Sequence, residues 1–260
     1  MITRRRAIVT AALLLAVLSL AAGLGAFQAA RRAAARPADP LLDGFRKTTT
    51  ASVSDAVDQV ARARGFLAHD MRPIFDAKIA GRAVTALLRP LEKAGEASGS
   101  LGVSHSIQAI DESGPGQVVV IVIEDGANIS GRDIAGIGGL MATNAKVRGL
   151  EGAVIDGGAR DLAEITTLRF PVFSRSVVPS TSVGRYTTVS KNEKVMCAGV
   201  EIDPGDIIVG DRDGVVVVPK EHAEAVLKRA QEIDEREAKM APYIRKFKSL
   251  AKVVEMFQRI

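Results

Sequence analysis

The chain has 260 residues, 47% of them hydrophobic and 25% charged, with a formal net charge of +5; this suits one sizeable core with a small appendage. Tryptophan is absent and Phe and Tyr are few, which argues against a platform of aromatic rings for stacking nucleic-acid bases, and the single Cys197 excludes an internal disulfide and a zinc–thiolate centre. Part of the positive excess lies in two arginine clusters, Arg4–Arg6 and Arg31–Arg36, and so reads as a targeting and linker signature rather than a basic binding face.

In chain order, residues 1–28 come first. Thr3-Arg4-Arg5-Arg6 precedes an uncharged stretch from Ala7 to Phe27, a positive region followed by an apolar one. This predicts a signal peptide or a membrane anchor, hence an exported, periplasm-like or membrane-anchored protein with possible membrane contact through this segment; a mispredicted start codon would leave it cytoplasmic. Twenty-one uncharged residues are about enough to span a bilayer. Residues 29–40, rich in Ala, Arg and Pro, read as a linker. A globular domain is expected over 41–220 and a helical extension over 221–260.

Within the domain, the run Thr48 to Asp55 offers several helix caps, followed by Ala56, Val57, Val60 and Ala61 at helical spacing. Ile79 to Leu88 reads as a strand with a glycine irregularity. Gly114-Pro115-Gly116 is a turn, and Val118 to Ile123, apolar on both faces, is a central buried strand. A helix over Gly139 to Arg148, a short strand at Ala153-Val154-Ile155, a helix from Asp161 to Leu168 and a strand starting at Phe170 follow. Ile207 to Val209 and Val215 to Val218 form a hairpin around Asp211-Arg212-Asp213-Gly214. From Glu221 the pattern is helical and charged, with Ala225, Val226, Ala230 and Ile233 as an apolar stripe and a break at Pro242. The fold class is mixed α/β.

The chemistry-bearing stretch runs from Gly138 to Asp161. Gly136, Gly138 and Gly139 precede a helix, whose first N–H groups and dipole favour an anion over Leu140 and Met141. Asp156-Gly157-Gly158-Ala159-Arg160-Asp161 follows a buried strand, where α/β folds collect ligand-binding groups. Arg160 can fork a carboxylate, and Asp161 is a hard oxygen ligand for Mg²⁺ or Mn²⁺. Each feature has a plainer reading: tight packing for the glycines, a surface ion pair or helix cap for Arg160 and Asp161, a turn for Asp156. His105 is a candidate to line the site as a base. His69 and His222 read as surface, and Cys197 as a small packing residue.

This stretch resembles the family containing 4-hydroxy-4-methyl-2-oxoglutarate aldolase and the regulator of ribonuclease activity A. The matching features are the Gly-x-Leu-Met turn at Gly138–Met141, the Ala-x-x-x-Gly helix end at Ala145–Gly149, and Val154-Ile155-Asp156-Gly157 leading to Arg160-Asp161. Val53 to Asp58, Gly81 to Thr85, Phe170 to Phe173, Val200 to Asp211 and Asp213 to Pro219 also match, in order, over roughly Thr48 to Glu224. The resemblance implies a compact swivelling-type β/β/α domain with a central sheet flanked by helices, assembling as a homotrimer or hexamer with sites near subunit contacts. It implies substrate binding by Gly138, Gly139, Leu140 and Met141, pyruvyl contact by Arg160, and a divalent cation (Mg²⁺ or Mn²⁺) on Asp161, partly through waters. Arg185 is a further substrate contact on the same ground. The implied activity is a lyase: cleavage of 4-hydroxy-2-oxo acids to pyruvate, decarboxylation of oxaloacetate, or both. A metal beside a guanidinium stabilises the common enolate without a Schiff base. Gly139 departs from the family pattern, which often has an acidic residue there to organise metal-bound waters. Two other readings stand beside the lyase. One is a non-catalytic binding protein that regulates a ribonuclease or another partner, disfavoured if the chain is exported. The other is an inactive scaffold of the same fold.

Overall fold

A computed structural model describes residues 39–91 and 102–258. The first described elements are helices α1 (Pro40–Lys47) and α2 (Thr50–Val60). Asp39 caps α1 by accepting from the Leu41 and Leu42 N–H groups, and of the candidates around Thr48 it is Thr49 that caps α2, accepting from Ser52 N–H.

The central sheet contains β1 (Arg72–Pro73), β2 (Ile79–Pro90), β3 (Gln117–Ile123), β4 (Ala135–Ile137), β5 (Gly152–Ala159), β6 (Val172–Val177), β7 (Tyr186–Lys191), β10 (Ile207–Asp211) and β11 (Gly214–Val218). Its main path runs β1-β6-β5-β3-β2-β10-β11; β4 pairs with β5 and β7 with β2. The pairs β2–β3, β3–β5, β4–β5 and β5–β6 are parallel and the rest antiparallel. The segment ahead of β1 hydrogen-bonds to β11 (Leu67 N to Val215 O, 2.9 Å; Val217 N to Gly65 O, 2.8 Å), so the two edges are laced together and the sheet is nearly closed. That disposes of edges that would otherwise pair with other chains.

Alternation along β3 shows how the layers form. Val119, Ile121 and Ile123 face α3 (Ser104–Asp111), α4 (Gly139–Arg148) and α5 (Leu162–Leu168). Val118, Val120 and Val122 face the small ribbon β8 (Val195–Cys197) and β9 (Val200–Ile202). This is the expected β/β/α arrangement, with the ribbon, the main sheet and the helices as its layers. A third apolar cluster joins α1 and α2 to β10, β11 and α6 (Ala223–Phe247) through Phe45, Val53, Val57, Val209, Val216 and Val226.

Three expectations change. The helical extension does not break at Pro242: α6 runs through it and ends at Lys248, which takes a left-handed conformation (φ 51°) before α7 (Leu250–Phe257). A proline removes one donor and crowds one carbonyl, and here those losses leave the helix intact. The apolar stripe on α6 uses Ala223, Val226, Ala230 and Ile233, while Ala225 is exposed.

The third change concerns the membrane. Among the described residues no helix is long and apolar enough to cross one; the 25-residue α6, the one helix with the length, is charged along its course. Residues 1–28 and nearly all of the 29–40 linker lie outside the described residues. The signal-peptide, transmembrane, exported and membrane-anchored readings are accordingly withdrawn, and with them the locational argument against a ribonuclease-directed role.

Candidate active site

β5 is longer than its apolar sequence suggests. It continues through Asp156, Gly157 and Gly158 to Ala159, because the short strand β4 pairs with its far end (Ala135 opposite Gly158, Ile137 opposite Ala159). Both glycines are packed closely against their surroundings. A Cβ on Gly157 would lie 2.7 Å from Ile123 Cδ1, and one on Gly158 would overlap Val178. The pairing has a direct consequence for the site. β4 leads into Gly138 and α4, and β5 leads into Arg160 and Asp161, so two segments distant in sequence end side by side. Arg160 N–H donates to the Ile137 carbonyl at 3.1 Å and locks them together.

At that junction Asp161 is the cap residue of α5, yet it makes no side-chain bond to its own helix and sits in the left-handed region (φ 57°, ψ 41°). Its carboxylate turns to the neighbouring helix: Oδ2 accepts from Gly139 N–H at 3.0 Å. Gly138 is the cap residue of α4, extended and without a side chain to do this work. Asp161 thus supplies from outside an acceptor for the first N–H of α4, where an Asp or Ser cap would accept from the second or third. Gly139, Leu140 and Met141 carry the N–H groups that precede the first intrahelical bond, from Ala142 N–H to Gly138 C=O at 3.0 Å. Arg160 Nε lies 3.8 Å from Asp161 Oδ2, with the two side chains 41% and 48% exposed, so the pair meets solvent and neither group is committed to a buried bridge. A Cβ on Gly138 would lie 2.8 Å from Asp161 Oδ2 and 3.1 Å from Arg160 Nε, which is why this position is bare.

All six singled-out residues are therefore brought to one place: Gly138, Gly139, Leu140 and Met141 from α4, and Arg160 and Asp161 from the end of β5. The reading had not included Glu164. Its carboxylate occupies the space a side chain at Gly139 would take, with Oε1 2.8 Å from the ideal Cβ position and Oε2 closer still. A sequence signal existed: Asp161 and Glu164 are three residues apart at a helix start and share a face.

Asp156 is neither a turn nor a ligand of this site. It is a half-buried strand residue on the ribbon side of the sheet, where it accepts from Arg175 Nη1 at 2.9 Å and from Ala198 N–H. Arg175 also binds Asp70 through Nε (3.0 Å) and Nη2 (3.0 Å). Burial pushes the Asp70 carboxyl up, but the Arg175 hydrogen bond and the charges of Arg175 and Arg132 outweigh it and hold it below the usual range. Arg185 donates to the Thr181 carbonyl at 3.1 Å on an exposed surface. His105 stands at the start of α3 with its Nδ1 buried and unpartnered among the described residues. Cys197 is fully buried and burial raises its thiol pKa, in keeping with a packing residue. His69 is exposed and His222 half-buried.

Two cavities of about 470 Å³ each are lined by other residues, one by Arg64, Phe66 and His69 and one by Asp125, Arg132 and Arg175. Neither includes Arg160 or Asp161, which lie, 41% and 48% exposed, by the exposed Leu140 (86%).

Parallel strands of a β/β/α core deliver an arginine–aspartate pair to a glycine-opened helix, and this defines an α/β protein whose candidate site lies at its strand ends. A family model described as Aldolase/RraA matches residues 50–217, and the chain belongs to this RraA-like family. A relative from Halalkalibacterium halodurans, named "Putative 4-hydroxy-4-methyl-2-oxoglutarate aldolase", is 35% identical over 190 residues, covering 72% of this chain and 80% of that protein. An uncharacterized protein from Methanocaldococcus jannaschii is 41% identical over 120 residues, which are 46% of this chain and 57% of that one. Among solved structures, an uncharacterized protein from Pseudomonas syringae pv. tomato aligns with a TM-score of 0.73 at 26% identity, over 85% of this chain and 95% of that chain. Streptomyces coelicolor RraAS2, described as an unusual member of the RNase ES inhibitor RraA protein family, shares the fold with a TM-score of 0.66 at 22% identity, over 78% of this chain and 96% of that chain.

Proposed function

We propose that the protein is a divalent-cation-dependent lyase that releases pyruvate from 4-hydroxy-2-oxo acids of the 4-hydroxy-4-methyl-2-oxoglutarate type, from oxaloacetate, or from both. The observation that carries this reading is the junction of Asp161 with the amino end of α4 (3.0 Å to Gly139 N–H) and Arg160 beside it. The name of the H. halodurans relative supports the substrate class.

The donor set fits a hard cation. Asp161 is about half exposed, and a single hard carboxylate of this kind suits a cation that keeps most of its water. Mg²⁺ and Mn²⁺ accept one or two carboxylates and otherwise water and substrate oxygens. When bound, such a cation acts as a Lewis acid on the 2-oxo acid. The chain's own groups do the rest. The N–H groups of Leu140 and Met141 and the α4 dipole receive the substrate carboxylate. Arg160 forks the pyruvyl oxygens and stabilises the enolate charge that develops on C–C cleavage, whether the leaving fragment is an aldehyde, a ketone or carbon dioxide. Asp161 would hold the cation, in part through water. No lysine is required.

A homotrimer or hexamer is part of the same proposal. Leu140 (86% exposed) and Val177 (61%, the register partner of Ala159) present apolar surface beside the site. Light scattering on the eluted protein measures this directly.

The test of activity is pyruvate release by the full chain from oxaloacetate and from 4-hydroxy-2-oxo acids, with Mg²⁺, with Mn²⁺ and with EDTA. Cation-dependent turnover, abolished by EDTA and reduced about 100-fold or more in kcat/KM by Arg160→Ala, is expected. A folded protein with cation present and no turnover on any of these acids would sink the lyase reading in favour of a non-catalytic binding protein.

A further inference from the structure

Residues 239–258, the end of α6 and all of α7, lie beyond the stretch that the family model matches. They carry Lys239, Arg245, Lys246, Lys248 and Lys252 against Glu255 alone, an excess of four positive charges in a chain whose whole excess is five. All five cations are exposed, and among the described residues none of them makes an ion pair. Two rest on an aromatic ring instead: the Nζ atoms of Lys252 and Lys246 lie 4.5 Å and 5.6 Å from the centroid of Phe247. That ring stacks on Tyr243 (centroids 6.2 Å apart), and Tyr243 meets Phe257 edge-on at 5.7 Å, so the aromatic cluster holds α7 folded back on the end of α6. Lys239, Tyr243 and Lys246, at i, i+4 and i+7, share one face of α6. Among these cations Tyr243, Leu250 and Met256 stand about half exposed, although each has a large apolar body.

We propose that the α6–α7 turn is a docking surface for a bilayer that carries anionic lipid. Charge complementarity selects the occupant. Unpaired ammonium groups suit a layer of negative headgroups, and the aliphatic stems of the lysines let those groups reach it from beside apolar neighbours. Leu250, Met256 and the Tyr243 ring suit the boundary between headgroups and acyl chains. A nucleic acid would satisfy the lysines through its phosphates but would leave Leu250 and Met256 in water, which favours the lipid. The contact lies on the surface: α7 has eight residues, far too few to cross a bilayer. It is independent of the lyase reading, since none of these residues belongs to the candidate active site.

The chain has no tryptophan, so Leu250→Trp places a single fluorophore at the contact and reports on this end of the molecule alone. Met256→Trp is the second placement, and circular dichroism checks that both variants fold like the parent. Emission of each full-length variant is followed on adding vesicles of equal parts phosphatidylcholine and phosphatidylglycerol, vesicles of phosphatidylcholine alone, or a single-stranded RNA homopolymer. A blue shift is expected with the anionic vesicles and not with the neutral ones, and added salt should reverse it. Changing Lys246, Lys248 and Lys252 together to Gln is expected to weaken partitioning about 100-fold. No shift at either position with anionic vesicles would overturn the proposal, and an equal shift with both kinds of vesicle would remove its electrostatic basis. A shift with RNA but not with vesicles would replace the lipid by a nucleic acid. Undiminished partitioning of the triple glutamine variant would take these lysines out of the contact.

Discussion

Asp161 carries two opposed effects that substitution can separate. Its left-handed backbone (φ 57°) costs on the order of 1 kcal/mol for a residue with a Cβ, and the cap it gives to Gly139 N–H returns about 1 kcal/mol. Asp161→Gly removes both, so its unfolding free energy in urea is expected to stay within about 1 kcal/mol of the parent's. Asp161→Ala keeps the backbone cost, loses the cap, and is expected to be about 1 kcal/mol less stable. Both should lose Mn²⁺ binding, measured by titration. A glycine variant that keeps full affinity would remove Asp161 from the cation's surroundings. Arg160 and Asp161 stood out in the sequence because adjacent opposite charges follow an apolar strand and glycines. Glu164 did not, because its three-residue spacing from Asp161 is also that of an ordinary acidic residue in the first turn of a helix.

β4 and β5 show how a short element controls the site. Three residues of β4, Ala135–Ile137, extend β5 past its apolar stretch and hold the glycine loop against Arg160. The approach is tight on its other flank too: Gly131, in the 3₁₀ turn just before β4, would drive a Cβ into the Ile123 carbonyl. Gly131→Ala is expected to cost about 1–3 kcal/mol of stability by overpacking, and to lower pyruvate release by displacing β4 relative to β5. An alanine variant with parental urea midpoint and activity would show that this backbone has more room than its geometry allows. The sequence revealed β3 and the β10–β11 hairpin plainly, since β-branched runs and turn residues mark them. It did not reveal β4, β7 or the β8–β9 ribbon, because strands of three to six residues with mixed polarity owe their pairing to neighbours.

The whole molecule is laced by charge on the side of the sheet away from the helices. Arg175, 14% exposed, joins Asp70 of the segment before β1 to Asp156 of β5. Removing it leaves Asp156, 13% exposed, without an ionic partner and Asp70 with Arg132 alone, and Arg175→Met is expected to lose about 3 kcal/mol. The pH dependence follows from the direction of the shifts. Asp70, Asp125 and Asp211 have native carboxyl pKa values below 3.8, so the unfolded chain binds more protons as the pH falls through that value, and their contributions are present above it and lost below it. Asp206 runs the other way, because burial raises its carboxyl, and its contribution declines as the pH rises above 3.8. With three groups against one, the urea midpoint should fall steeply on acidification below about pH 4. In Arg175→Met that fall should be shallower, since Asp70 no longer has its hydrogen-bonding partner. A parallel fall in both proteins would remove the Asp70–Arg175 pair as a source of acid lability.

By itself the sequence determined that this chain builds a mixed α/β core, that its central strand is buried on both faces, and that it carries a glycine-opened helix start and an Arg160-Asp161 pair beyond a buried strand. Those features are encoded locally, in periodicity, β-branching, turn residues and the match over residues 50–217. Only the tertiary structure decided that Asp161 caps a helix other than its own, that Asp156 belongs to an ion-pair lattice on the opposite side of the sheet, and that Glu164 takes the space Gly139 leaves. Each of these depends on which strand lies beside which, and a pairing between β4 and β5 is set by the packing of the whole sheet rather than by the residues at either end of the bond.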